Sequence, residues 1–185
     1  METVSFTRMD QATAEDWKLL DEETELITPM VVENVLQLLK GLEQITGAYP
    51  IDRYQHSLQT ATRAYRDGAD EEMIVVALLH DIGDTVALEN HSEFAAALMR
   101  PYISQDNYWL LKHHGLFQGY YYFHFYDRDR HIRDRFKQHP AYQTTVDFCE
   151  YWDQRSFDPD YDTLPLSFFE PMVRRIFNRS PHKSV

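Results

Sequence analysis

The apolar positions of this chain recur at helical spacing, and no segment keeps the two-residue alternation of a strand. Thr13, with Asp16 three residues on, predicts a helix start leading into Trp17, Leu19 and Leu20. Val31, Val35, Leu38, Leu39 and Leu42 form one stripe of a second helix over 30–44, and the stretch from Gly47 to Pro50 breaks it. A third helix over 52–66 stops at Asp67-Gly68, a good C-terminal signal. The fourth starts at Asp70, with Glu71 and Glu72 where the helix dipole favours acids, and is apolar all round from 73 to 79. Such a helix runs through a core.

Asn90 predicts the cap of a fifth helix carrying His91, Phe94, Ala95 and Leu98, ended by Pro101. Ser104 caps a sixth containing Trp109, Leu110 and His114, with Gly115 marking its end. An aromatic stretch (117–126) and a charged run (127–137) follow; the run reads as a solvated helix. Pro140 suits the first turn of a last long helix to about 154, and a short helix near 169–177 closes the chain. The expected architecture is a single all-α domain without repeats or linkers.

Composition narrows the chemistry. At 185 residues and 43% apolar content, the chain is long enough for one sizeable core. Its one cysteine, Cys149, excludes an internal disulfide, fits a reducing compartment, and leaves nitrogen and oxygen as the only metal ligands on offer. Every apolar run falls short of the roughly 20 residues that span a bilayer, and the first residues lack a basic-then-apolar leader. The expectation is a cytoplasmic protein without a membrane segment. A net charge of −12 argues against nucleic-acid binding but not against a small anionic substrate, because a buried metal pair inverts the local field.

The candidate chemistry starts at His80-Asp81, which ends the apolar run 73–79. Burying an imidazole and a carboxylate there is costly unless a cation lies between them. Gly83 makes a helix end plausible, so the two side chains could meet one ion from different angles, or Asp81 could bridge two. One helix upstream, His56 shares a polar face with Gln59, Thr60 and Arg63, which reads as a cavity wall or as a solvated face. His91 opens a helix whose other inward positions are apolar. His113 and His114 compete for one role, and Gln118 lies four residues beyond the second. Asp153 shares a helical stripe with Tyr142, Val146 and Cys149; Asp147, Asp158, Asp160 and Asp162 rival it by spacing alone.

At these residues the chain resembles the HD-domain superfamily of helical metalloproteins, over roughly 52–177. His56, His80-Asp81 and Asp153 match its H…HD…D set, and His91 and His114 match the subset that holds two metals. Within that subset the chain is similar to the branch of myo-inositol oxygenase and the phosphonate-cleaving oxygenases. The resemblance implies an HD-domain bundle over 1–185: N-terminal helices (1–48), a metal-binding core (52–156) and a C-terminal extension (157–185). It further implies two iron ions as an Fe(II)/Fe(III) pair, with manganese or another divalent metal as alternatives, held by His56, His80, Asp81, His91, His114 and Asp153. His80 and Asp81 would then be catalytic, and the partners O2 and a small hydroxylated substrate, a phosphonate or carboxylate among the options. The chain departs from that branch at Thr46 and Tyr49, where a Tyr and a Glu precede the first histidine, at Gln118 in place of a substrate lysine, and at Asp84 in place of a lysine after the His-Asp pair.

Two enzyme readings result: a di-iron oxygenase, favoured for its added histidines, and a metal-dependent phosphohydrolase, for which Arg63 could hold phosphate. A catalytically silent metal-binding scaffold is a third. Gln59, Gln118, Tyr121, Tyr122 and His124 complete the substrate-binding candidates, as neutral hydrogen-bonding groups suited to a hydroxylated ligand.

Overall fold

The computed structural model describes residues 3–44 and 47–181, all of them helix, turn or loop, with no strand. Thr46 lies outside the described residues. The helices are α1 (Ala14–Gly41), α2 (Arg53–Arg66), α3 (Glu71–Leu79), α4 (His91–Met99), α5 (Gln105–Tyr122), α6 (Tyr142–Asp147) and α7 (Leu166–Phe177). No helix among the described residues is long and apolar enough to cross a membrane.

Local chemistry starts most of them where the sequence indicates. Thr13 and Asp16 form a reciprocal capping box on α1. The Asp52 carboxylate accepts the Gln55 N–H at 2.7 Å, Asp70 accepts Met73 at 2.8 Å, and Ser104 Oγ accepts Asn107 at 3.3 Å. Asn90 does not cap with its side chain; a 3-10 turn (Leu88–Asn90) runs directly into α4 instead.

α3 is the central element. Ile74, Val75, Val76, Leu78 and Leu79 are each at most 4% exposed, and burying these side chains contributes on the order of 10 kcal/mol against the cost of ordering the chain. Around it pack α2, α5 and α7, while α4 lies along α5 and α1 covers α7. His80 and Asp81 therefore leave the end of a rigid core helix.

Four elements depart from the sequence expectation. The two helices anticipated on either side of Pro29 are one, α1, whose second half buries Val32, Val35, Leu36, Leu39 and Leu42. A proline deletes one backbone bond, and this anchored stripe carries the helix on past the gap. α5 runs through Gly115 to Tyr122 because the glycine serves a close approach rather than an end: a Cβ there would sit 2.7 Å from Ser92 Oγ on α4. The charged run holds a 3-10 helix (Ile132–Phe136) with Arg133 buried, not a solvated α-helix.

The long helix predicted from Pro140 to about 154 is likewise irregular. α6 gives way to a π-helical turn (Phe148–Trp152) and a 3-10 turn (Asp153–Arg155).

Glu72 ties the bundle's end together. It accepts the Ser104 N–H at 2.7 Å and the Asn107 amide at 2.8 Å, and pairs with Arg179. Burial raises its pKa, but these donors outweigh that and hold it below the ordinary 4.5. A lowered folded value means stability present above the unfolded pKa and lost as pH falls through the folded one. Glu72→Gln should therefore cost about 2 kcal/mol in urea unfolding at pH 7. The difference from the parent should close under acid conditions, where both side chains are neutral; a pH-independent gap would contradict this origin.

Candidate metal centre

Six side chains from α2, the end of α3, α4, α5 and the turn after α6 meet at one point. His56, His80, His114 and Asp153 are each at most 3% exposed and Asp81 is 6% exposed. His56 Nε2 lies 3.1 Å from His80 Nε2, 3.4 Å from Asp81 Oδ2 and 3.3 Å from Asp153 Oδ1. His80 Nε2 lies 3.4 Å from Asp81 Oδ2 and 3.6 Å from Asp153 Oδ1. On the other side, His114 Nε2 and His91 Nε2 approach Asp81 Oδ1 at 3.3 and 3.5 Å. The ligating atoms thus form two clusters, His56–His80–Asp81 and Asp81–His91–His114, with Asp81 common to both.

The backbone orients every ring. His56 Nδ1 faces the Ser156 carbonyl at 2.8 Å, His80 Nδ1 that of Ala77 at 2.9 Å, His91 Nδ1 that of Leu88 at 3.1 Å, and His114 Nδ1 that of Leu111 at 2.7 Å. Each Nδ1–H donates outward, so each Nε2 turns its lone pair inward. Lone pairs 3.1 Å apart repel unless a cation lies between them. Burial works against charge on His56 and His80, but the carboxylates of Asp81 and Asp153 outweigh it and raise both. Where protons rather than a metal occupy the Nε2 positions, burial likewise opposes charge on Asp81, yet the His80 charge and N–H donors from His114, His56 and His80 hold it well below the usual carboxylate range. The cluster attracts cations, and its nitrogen-and-oxygen donor set fits a divalent or redox metal.

Two features place particular ligands. Gly83 lets α4 come in: a Cβ there would meet His91 Cα at 2.8 Å and the His91 carbonyl at 3.0 Å. The π-helical turn aims Asp153 inward, so its position does not follow the straight-helix stripe through Tyr142 and Val146. His113 stands apart; its ring stacks on Trp109 and its Nδ1 faces the Trp109 carbonyl at 2.8 Å.

A cavity of about 270 Å³ opens onto Asp81, His91, His114 and Asp153. Gln118, Tyr121 and Tyr122 line it, and Tyr121 donates to Glu150 at 2.8 Å. Three candidates from the sequence lie outside this lining. Gln59 grips the backbone of Asp158 from both ends of its amide, fastening the tail to α2. Arg63 lies over Tyr161, 3.9 Å from the ring centroid. His124 is exposed, its ring tilted against that of Phe125. Helical spacing put Gln59 and Arg63 on the His56 face correctly, but that face meets the C-terminal segment at their level.

Sequence reasoning missed Arg53, Gln154 and Phe157 as lining residues, and noted Tyr49 only as a departure. Arg53 carried a readable signal, since it precedes His56 by three residues on the same helix face. Phe157 stacks on both His56 (4.5 Å) and Tyr49 (4.8 Å), contacts that only the tail's path creates.

No curated protein matches the chain significantly. Residues 53–142, from the first turn of α2 to the first residue of α6, match the family model of the HD domain, which supports placing the chain in the HD-domain superfamily, as a helical bundle with a buried His/Asp cluster that could hold metals.

Proposed function

We propose that this chain is a single-domain, non-haem di-iron oxygenase acting on a small hydroxylated substrate, with residues 52–156 carrying the site. The observation that carries this reading is the donor set: four inward-facing imidazoles and two carboxylates in two clusters that share Asp81. His56, His80, Asp81 and Asp153 would hold one ion, and Asp81, His91 and His114 the other. When bound, the pair would supply O2 activation and one-electron chemistry at the substrate's C–H bond.

The chain's own part is placement. Asp81 presents one oxygen to each cluster and so fixes their separation. The four backbone carbonyls behind the imidazoles keep those rings from turning when the charge between them changes. Gln118, Tyr121 and Tyr122 offer neutral hydrogen-bonding groups beside the second cluster. The stacked rings of Tyr49 and Phe157 wall off His56 from water.

A second reading has its own support. HD domains are usually metal-dependent enzymes, mostly hydrolases, and the Arg53 guanidinium beside Asp81 could pair with a phosphate. Iron analysis of anaerobically purified protein, followed by O2-uptake and phosphate-release screens, separates the two. Two iron ions per chain and O2 consumption on a hydroxylated acid are expected. Hydrolysis of nucleotides or phosphate esters without oxygen dependence would overturn the oxygenase reading. Gln118→Ala should keep its metal and raise KM or lower kcat; unchanged values for both would remove Gln118 from the pocket.

A further inference from the structure

We propose that Arg53 selects the substrate: its guanidinium pairs with an oxyanion head, carboxylate or phosphonate, while a hydroxyl of the same molecule donates to Gln118. This rests on the proposed function only in taking the 270 Å³ cavity as the substrate site.

Arg53 is fixed in place. Its Cζ lies 4.9 Å from the Tyr49 ring centroid and 5.9 Å from that of Phe157, which orients the guanidinium plane at the cavity wall. Nε meets Asp84 Oδ2 at 3.1 Å, and Nη1 stands 3.7 Å from Asp81 Oδ2. The second contact is longer than a hydrogen bond, and both Asp81 oxygens already serve imidazoles. A guanidinium therefore has N–H donors to spare on a wall of the cavity it lines, in the fork geometry that suits a carboxylate or phosphonate.

The complement sits on α5. Gln118 Oε1 is buried without a hydrogen-bond partner among the described residues, and the residue lines the same cavity. A buried acceptor of this kind is satisfied by a ligand O–H. Donors on one wall and an acceptor on another describe a molecule with an anionic head and a hydroxyl. At about 270 Å³ the cavity is smaller than the roughly 300–1,000 Å³ of pockets for drug-sized ligands, so the molecule is small. Asp84 neutralises the arginine until the anion arrives, and its side chain is only 2% exposed.

Titration calorimetry on manganese-loaded protein tests this without turnover. The probes are glycolate and hydroxymethylphosphonate, which distinguish the two heads, and ethylene glycol as the neutral control. The parent should bind at least one acid and bind the diol at least tenfold more weakly. Because Arg53→Gln alone strands a buried carboxylate, the variant of choice is the double Arg53→Gln/Asp84→Asn. It should retain two ions and the parent's Tm, and lose acid binding tenfold or more. Should it fail to fold or load, Arg53→Lys decides, since an ammonium keeps the charge but not the fork, and should weaken acid binding measurably.

Acid affinity unchanged in whichever variant loads, equal binding of diol and acids by the parent, or no binding of either acid would overturn the proposal. O2 uptake is read separately. Arginine-dependent acid binding with no oxygen consumption sinks the oxygenase and leaves Arg53's role, whereas oxygen consumption on a neutral polyol does the reverse.

Discussion

Asp81→Ala is expected to abolish metal retention at both clusters, whereas His91→Ala should lose only one ion of two. The reason is the division of labour at the Asp81 carboxylate, with Oδ2 toward His56 and His80 and Oδ1 toward His91 and His114. His91 contributes to one cluster only and is the most exposed of the four imidazoles, its side chain 26% accessible. Metal that binds only the folded chain stabilises it by mass action, about 4 kcal/mol at a thousandfold excess over Kd. Asp81→Ala and His80→Ala should therefore lose a metal-dependent Tm increment that the parent shows, and His91→Ala should keep part of it. Elemental analysis beside thermal unfolding, with and without added metal, checks both. Full metal content in Asp81→Ala would refute the shared carboxylate.

The second large effect is expected from a residue with no ligating atom. Gly83→Ala should destabilise the fold by about 3 kcal/mol and lower metal content toward one ion, because the new methyl strikes the backbone of His91 rather than a movable side chain. Helix α4 must retreat, and His91 retreats with it. Gly115→Ala makes an instructive comparison: there the obstacle is the Ser92 hydroxyl, which can rotate away. Equal metal content in Gly83→Ala and the parent would show that α4 has room to adjust.

These two glycines illustrate what could be read from the chain and what could not. Local signals are short-range, so the caps at Thr13, Asp52, Asp70 and Ser104 and the unbroken apolar run into His80 were legible residue by residue. The convergence of His56, His80, Asp81, His91, His114 and Asp153 was legible as a pattern of residue types. Gly115 was misread as a helix end because a glycine's other use, letting a second helix approach, depends on a neighbour far along the chain. The helices after Thr13 and over 30–44 were read as two, yet the apolar stripe beyond Pro29 outweighs one missing hydrogen bond and they form one. Arg63 and Gln59 were assigned to the pocket because nothing local revealed that the tail near Asp158 and Tyr161 would claim them. Arg53 was overlooked only because the face of α2 was read forward from His56 and not backward.

The wide turn after α6 carries a consequence for how this protein can vary. An α-helix advances about 100° per residue. The π-turn already accommodates one residue more than an α-turn, so inserting a further residue between Phe148 and Trp152 would swing Asp153 out of reach of His56 and His80. Such an insertion changes no ligand, yet it would take one carboxylate from the His56–His80 side of the cluster. Loop-like tolerance to insertion should therefore be absent from this stretch, however ordinary its composition looks.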